Sequence, residues 1–335
     1  MSVPPYVSVL LPFRNAEATI DAAITSIVRQ SFNDLQLLLI DNGSRDGSST
    51  IVHDWSGRDA RILVIDEPKV GIAHALNAGL AAANGKYIAR MDADDIAHRE
   101  RLAKQVTYLD AHPEIGVLGT QTTFATTVQN SAGMRAFVEW QNKLISPQDH
   151  FLKRFVDAPL AHPTVMLRRE LIATYGSYST DPLPEDHELW LRWMDKGVKF
   201  AKLPEELLQW TDHPQRLSRT HANYSVAAFY RTKMHWLARW LQHTLRGRPV
   251  VVAGTSALCV ERTRMLEAEG ITVAGSTDVK RRDVPGYAFI PHLELPQPGE
   301  VFIVSFISQR GTGDRIAEFL TSRGLTEGED FILAA

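Results

Sequence analysis

The first part of the chain alternates continuous apolar runs with runs of helical spacing. "YVSVLL" is a short β-branched run that Pro12 is expected to end. "NAEATIDAAITSIVRQ" then places Ile20, Ile24, Ile27 and Val28 on one helical face. "LQLLLI" is almost wholly apolar, as strands buried on both faces of a parallel sheet are. It enters "DNGSRDGSS", a turn-forming loop. "RILVI" gives a third strand, "GIAHALNAGLAAANG" an Ala-rich helix closed by Gly85, and "KYIARM" a fourth strand. This alternation predicts an α/β layer architecture with a mostly parallel sheet, whose ligands collect beyond the carboxyl ends of the strands. Pro12, Asp41 and Asp92 all open loops at such ends.

From about residue 113 the pattern becomes irregular. "YSVAAFYRTKMHWLARWLQHTLRGRP" reads as a helix, and "GRPVVVAGTSALCVERTRMLEAEGITVAGSTD" repeats strand–helix–strand. "VFIVSF", a helix around "DRIAEFLTSRG" and a last strand "DFILA" complete a small α/β unit. The expected division is residues 1–222, a linker helix over 223–247, and a Rossmann-like domain over 248–335, with the boundary near Gly247-Arg248-Pro249.

Composition narrows the function classes. The 335 residues, 44% hydrophobic and 22% charged, suffice for two cores in an ordinary globular protein. A net charge of −3 argues against nucleic-acid binding. The single Cys259 excludes an intrachain disulfide and fits a reducing compartment. No run approaches the ~18 apolar residues of a membrane span, and "MSVPPYVSVLLPF" does not read as a signal peptide. A cytoplasmic protein is expected.

"MDADD" carries the first candidate chemistry. Side chains two apart on an extended chain face the same side, so Asp92 and Asp94 would share a site and Asp95 would point elsewhere. Paired carboxylates suit a hard divalent cation, Mg²⁺ or Mn²⁺. A solvated loop is the plain alternative for an acidic cluster taken alone.

"VSVLLPFRNAEATIDAAITSIVRQSFNDLQLLLIDNGSRDGS" followed by "GIAHALNAGLAAANGKYIARMDADD" resembles the nucleotide-sugar-binding half of a family 2 glycosyltransferase with the GT-A fold. The resemblance is strong over residues 6–112 and looser to about 220. It implies inverting transfer of a sugar from a nucleotide diphosphate donor, usually UDP-linked, to a hydroxyl of a saccharide or lipid-linked acceptor. Cell-surface polysaccharide or glycoconjugate synthesis is the implied setting. By position it places Pro12, Phe13, Arg14, Asn15, Glu17, Asp41, Asn42, Ser44, Asn77, Arg90 and Asp92 near the nucleotide sugar. Asp94, with Asp92, would ligate the metal, and Asp95 would lie on the acceptor side. Leu76 stands where the family often has an arginine, which removes one donor contact. Asn15 as a helix N-cap and "DNGSRDG" as a structural turn are the plain readings.

Attack by an acceptor hydroxyl needs a general base. The acidic pair of the family falls in "PLPEDHELWLRWMDKG", which nominates Asp186 with Glu185 beside it; a helix cap is the plain reading of Asp186. "LWLRW" has Leu189 where processive members often carry a glutamine. The resemblance offers His213 as a third metal ligand, places Arg216, Ser218 and Arg219 in a loop over the diphosphate, and assigns His162 to the acceptor.

Two segments stay open. The helix over residues 224–246 has Val226, Phe229, Tyr230, Met234, Leu237 and Leu241 on one face and Arg231, His235, Arg239 and Arg246 on another. It either lies on an anionic membrane surface or packs across the two domains. The last unit keeps one fingerprint glycine, Gly254, with Asp278 at the end of its second strand. That favours a structural, homo-oligomerising or partner-binding module over a dinucleotide site. Two rival functions remain. A nucleotidylyltransferase would need a Gly-rich loop that "LPFRNAEAT" lacks. A non-catalytic scaffold would have no use for Asp92, Asp94 and Asp186.

Overall fold

β1 (Val7–Phe13) is buried at every position, and β2 (Leu35–Asp41) pairs with it in parallel. Such all-apolar strands require cover on both sheet faces. α1 (Ile20–Val28) supplies part of it with Ile20, Ala23, Ile24 and Ile27. α2 (Ser48–Arg58), β3 (Ile62–Asp66), α3 (Ile72–Ala82) and β4 (Tyr87–Arg90) continue the alternation. The computed structural model describes residues 4–309 and 311–335.

β1 does not stop at Pro12. The carbonyl of Leu10 accepts from Met91 on the β4 side, and pairing with β4 ends at Leu10. Pro12, two residues on, faces that same side, where no ladder partner awaits its missing N–H. Gly85 does not close α3, which ends at Ala82. It sits where a Cβ would lie 2.5 Å from the Ser8 backbone nitrogen, so the glycine lets the chain pass β1 closely.

β5 (Ile96–Ala97), α4 (Arg101–Ala111), β6 (Ile115–Thr126), α5 (Ala132–Lys143) and α6 (Pro147–Lys153) follow. Then come β7 (Met166–Arg168), α7 (Glu170–Tyr175), α8 (Glu185–Asp195), β8 (Lys199–Asp212) and the short α9 (Leu217–Thr220). The sheet order is β3-β2-β1-β4-β7-β6-β8-β5. β7 runs antiparallel to β4 and β6, while the long β6 and β8 pair in parallel with register breaks. The carboxyl ends of β1, β2 and β4 therefore open on one edge of the sheet, as a GT-A fold requires.

α10 (Val226–Thr244) leads to a second sheet of β9 (Val250–Ala253), β10 (Val273–Thr277), β11 (Ala288–Phe289), β12 (Phe302–Ser305) and β13 (Phe331–Leu333). Its order is β11-β10-β9-β12-β13, all parallel, with α11 (Ala257–Ala268) and α12 (Thr312–Ser322) as crossovers. Tyr230, Met234, Leu237 and Leu241 of α10 share one core with Phe155 and Leu191 on one side and Val250, Phe302 and Ile332 on the other. The apolar face of α10 is thus used on protein, and the membrane-surface reading loses the face it needs. Val226, expected on that face, is 69% exposed. Among the described residues no helix is long and apolar enough to cross a membrane.

Candidate active site

Beyond β4 the chain turns instead of staying extended, with the Asp95 amide directed back at the Asp92 carbonyl. The two-residue alternation of a strand therefore fails here. Asp95 joins Asp92 and Asp94 instead of pointing away: one oxygen from each lies within 4.8 Å of the others. Asp95 is nearly inaccessible, so it is not an open acceptor contact. Its Oδ1 accepts from the Thr211 amide of β8 at 2.8 Å, and its Oδ2 is buried without a partner among the described residues.

Two arginines, Arg90 and Arg216, offset the repulsion of the triplet. Arg90 pairs with Asp92, and His213 Nε2 lies 2.8 Å from Asp94 Oδ2, which brings two of the candidate metal ligands together. Arg216 stacks over Trp210 at 3.8 Å and its charge acts on Asp94 and Asp95. Burial, then the charge of Asp92, raises the Asp94 carboxyl above its usual range; the same causes, with Asp94 added, raise Asp95 further. Arg101, which sequence reasoning missed, donates from the buried interior to the Arg90 carbonyl at 2.7 Å and fixes the end of β4. Ser218 is exposed in α9, while Arg219 turns back to Asp212 at 2.6 and 2.7 Å.

The loops after β1 and β2 are laced together beside this cluster. Asn15 has φ +52° and does not cap α1, whose N-cap is Thr19. Its amide donates to Ser44 Oγ at 3.1 Å, and its side-chain oxygen accepts from Arg45 at 2.8 Å. Glu17 accepts from Gly47 at 2.9 Å. Asp41 accepts from the Ser44 amide and the Ser49 hydroxyl. Pro12 and Phe13 are buried and Arg14 is exposed. Two expected nucleotide contacts are braces: the Asn42 amide bridges the carbonyls of Glu67 and Lys69 and accepts from Gly71, and Asn77 clasps the backbone of Tyr178. Leu76 is fully buried against the sheet.

The second acidic pair starts α8. The N-cap is Pro184, so Asp186 does not cap the helix; its Oδ1 accepts from the adjacent His187 amide at 2.7 Å. Asp186 is half-buried and Glu185 buried. Burial raises the Asp186 carboxyl to about 6, against the pull of Arg90. Burial and the neighbouring Asp186 raise Glu185 to about 8. Glu185 Oε2 accepts from the Tyr224 hydroxyl at 2.6 Å. His162 is not open to an acceptor: it is buried, its Nε2 lies 2.8 Å from the Tyr178 hydroxyl, and its Nδ1 lies 3.9 Å from Glu185. Burial, then Arg90, holds its ring well below the usual histidine range, hence neutral. Arg90 pairs with Asp92 of the first acidic group, and its charge also acts on Glu185 and Asp186 of the second. Tyr178 and Tyr224 had no sequence signal beyond being tyrosines outside the motifs.

An acidic cluster of oxygen donors, a polar wall at the strand ends and a separate raised carboxyl are the parts that group transfer from a diphosphate requires. Comparison with known proteins agrees with this inventory. The model of "Glycosyl transferase family 2" matches residues 8–176. EpsE of Bacillus subtilis (strain 168), named as a glycosyltransferase, is 31% identical over 236 residues, 68% of this chain and 80% of its own length. S. aureus TarS in complex with UDP-GlcNAc superposes with a TM-score of 0.55 at 18% identity, covering 78% of this chain and 71% of that one. The mannosyltransferase PcManGT of Pyrobaculum calidifontis, in complex with GDP-Man and Mn²⁺, gives 0.50 at 20% identity over 80% of this chain and 70% of its own. At such identities the two structures speak for the fold. The chain is a glycosyltransferase and belongs to glycosyltransferase family 2.

Proposed function

We propose that the protein transfers a sugar from a nucleoside diphosphate donor, UDP-linked, to a hydroxyl of a saccharide or lipid-linked acceptor, with inversion and with a divalent cation. Synthesis of surface polysaccharide or glycoconjugate is the setting that fits this chemistry. The observation that carries the reading is the convergence of Asp92, Asp94 and Asp95, together with a separate raised carboxyl, Asp186, whose charge Arg90 feels while it pairs with Asp92.

The residues fit a cation. Three carboxylates meet, and Asp95 keeps a buried oxygen without a partner among the described residues. An all-oxygen set suits Mg²⁺ or Mn²⁺, with Asp92 and Asp94 as ligands and His213 adjacent through Asp94. When bound, such an ion supplies positive charge against the departing diphosphate. Arg216 adds a preorganised cation on the same side. Arg14, Asn15, Asp41 and Ser44 would line the nucleotide at the ends of β1 and β2. Asp186, ionised above about 6, would accept the acceptor's proton at its oxygen free of the His187 bond. Attack on the face opposite the diphosphate inverts the anomeric carbon and needs no covalent enzyme intermediate.

A thermal-shift screen of UDP- and GDP-sugars with Mn²⁺ tests the proposal, because ligands of the native state raise its apparent stability. One nucleotide sugar is expected to raise the melting temperature in Mn²⁺ and not in EDTA. No shift with any of them would overturn the donor assignment.

A further inference from the structure

Tyr224 joins two regions that the transfer chemistry does not otherwise connect. It ends the 3-10 turn Ala222–Tyr224, directly before Ser225, whose side chain caps α10 by accepting from the Ala228 amide. Its hydroxyl donates to Glu185 Oε2 at 2.6 Å. On its other side Glu185 faces His162, whose second nitrogen meets the Tyr178 hydroxyl. Glu185 is therefore held by Tyr224 from the α10 side, while on the core side the neutral His162 ring lies near it without a hydrogen bond. Asp186, the next residue, has no such side-chain partner among the described residues and accepts from backbone amides, His187 at 2.7 Å among them.

The place of Tyr224 is in turn set by α10. That helix is locked by Met234, Leu237 and Leu241 into the core it shares with the second sheet. Phe229, one turn into α10, packs its ring 5.7 Å from that of His187, whose Nε2 lies 2.9 Å from the Arg154 carbonyl. At the other end of the same segment His213 reaches Asp94. Residues 213–224 thus run from the acidic cluster to the helix that carries Asp186.

We propose that Tyr224 is a positioning residue for transfer: its hydrogen bond immobilises Glu185, so that Asp186 alone is presented to the acceptor, and α10 with the second sheet behind it sets that geometry. The inference rests on Asp186 being the base. It also gives the second sheet a role that needs no ligand there. A misplacement of about 1 Å can cost ~10²-fold in rate; loss of one bond acting through Glu185 is expected to cost less, about tenfold.

The test is Tyr224→Phe in the full chain, with water as acceptor and release of nucleoside diphosphate as the readout, using the sugar nucleotide found by the screen. The expected result is a fall in kcat of about tenfold with KM and the Mn²⁺-supported affinity for UDP or GDP within about twofold of the parent. The melting temperature should fall by no more than about a few degrees, the cost of one lost hydrogen bond. A kcat within about twofold of the parent overturns the proposal. So does a fall in kcat accompanied by lost nucleotide affinity, which marks a merely structural role. Asp186→Asn, assayed in parallel, separates the two readings. If it loses turnover while Tyr224→Phe keeps it, only the positioning role fails. If it keeps turnover, the base assignment fails and the positioning role with it.

Discussion

Asp186 and Glu185 are neighbours in sequence with different surroundings, and their behaviour should differ accordingly. Asp186 must be ionised to accept a proton, and burial raises its carboxyl to about 6. Turnover at subsaturating substrate should therefore fall as pH drops through about 6, which a pH series of kcat/KM checks. Asp186→Asn should lower transfer by ~10²–10⁴-fold, the usual contribution of a positioned base. Glu185 makes a stability forecast instead. Its carboxyl is raised from 4.5 to about 8, so the folded state holds its proton over a range where the unfolded chain has lost it. That stability is complete below 4.5 and is lost as pH rises through about 8. Glu185→Gln keeps an acceptor for Tyr224 and removes the buried charge. Its melting temperature should exceed the parent's above about pH 8 and match it near pH 4.5, as thermal melts across pH would show.

At the scale of elements, α10 is the joint. Leu237 is fully buried between the two parts of the molecule, so Leu237→Ala removes packing from both. A loss of about 2–5 kcal/mol is expected, the usual cost of Leu→Ala in a core, read from denaturant unfolding. A loss below ~0.5 kcal/mol would mean that α10 is not the shared wall described. Elements were legible in the sequence where apolar spacing was undisturbed. β1 to β4, α1 and α3 follow from it, as does α8 with its five buried apolar residues, whereas α2, which buries only Ser48 and Val52, does not. β6 and β8 were not legible, because Thr and Gln fill the outer half of one and Pro204-Glu205-Glu206 interrupts the other. Their pairing is a long-range match with register breaks, which no local pattern encodes. The same limit applies to the site. Motif order nominated Asp94, His213 and Asp186 as candidates, whereas the turn that swings Asp95 inward and the grip of Tyr224 on Glu185 depend on segments distant in sequence.

For the whole molecule, the second sheet offers little room for a dinucleotide. Gly254 lies over Cys259, where a Cβ would stand 2.5 Å from its Sγ, and Asp278 is engaged by the amide and hydroxyl of Thr255. Calorimetry of the full chain with NAD or NADP should show no submicromolar binding. The central claim is that the acidic cluster holds the diphosphate through a cation while Asp186 does separate work. Calorimetric titration of the preferred nucleoside diphosphate, in Mn²⁺ and in excess EDTA, on the parent, Asp94→Ala and Asp186→Asn proteins tests it most directly. The account predicts binding by the parent and Asp186→Asn in Mn²⁺, and its loss in EDTA and in Asp94→Ala. Equal affinity in EDTA, or undiminished binding by Asp94→Ala, would contradict it.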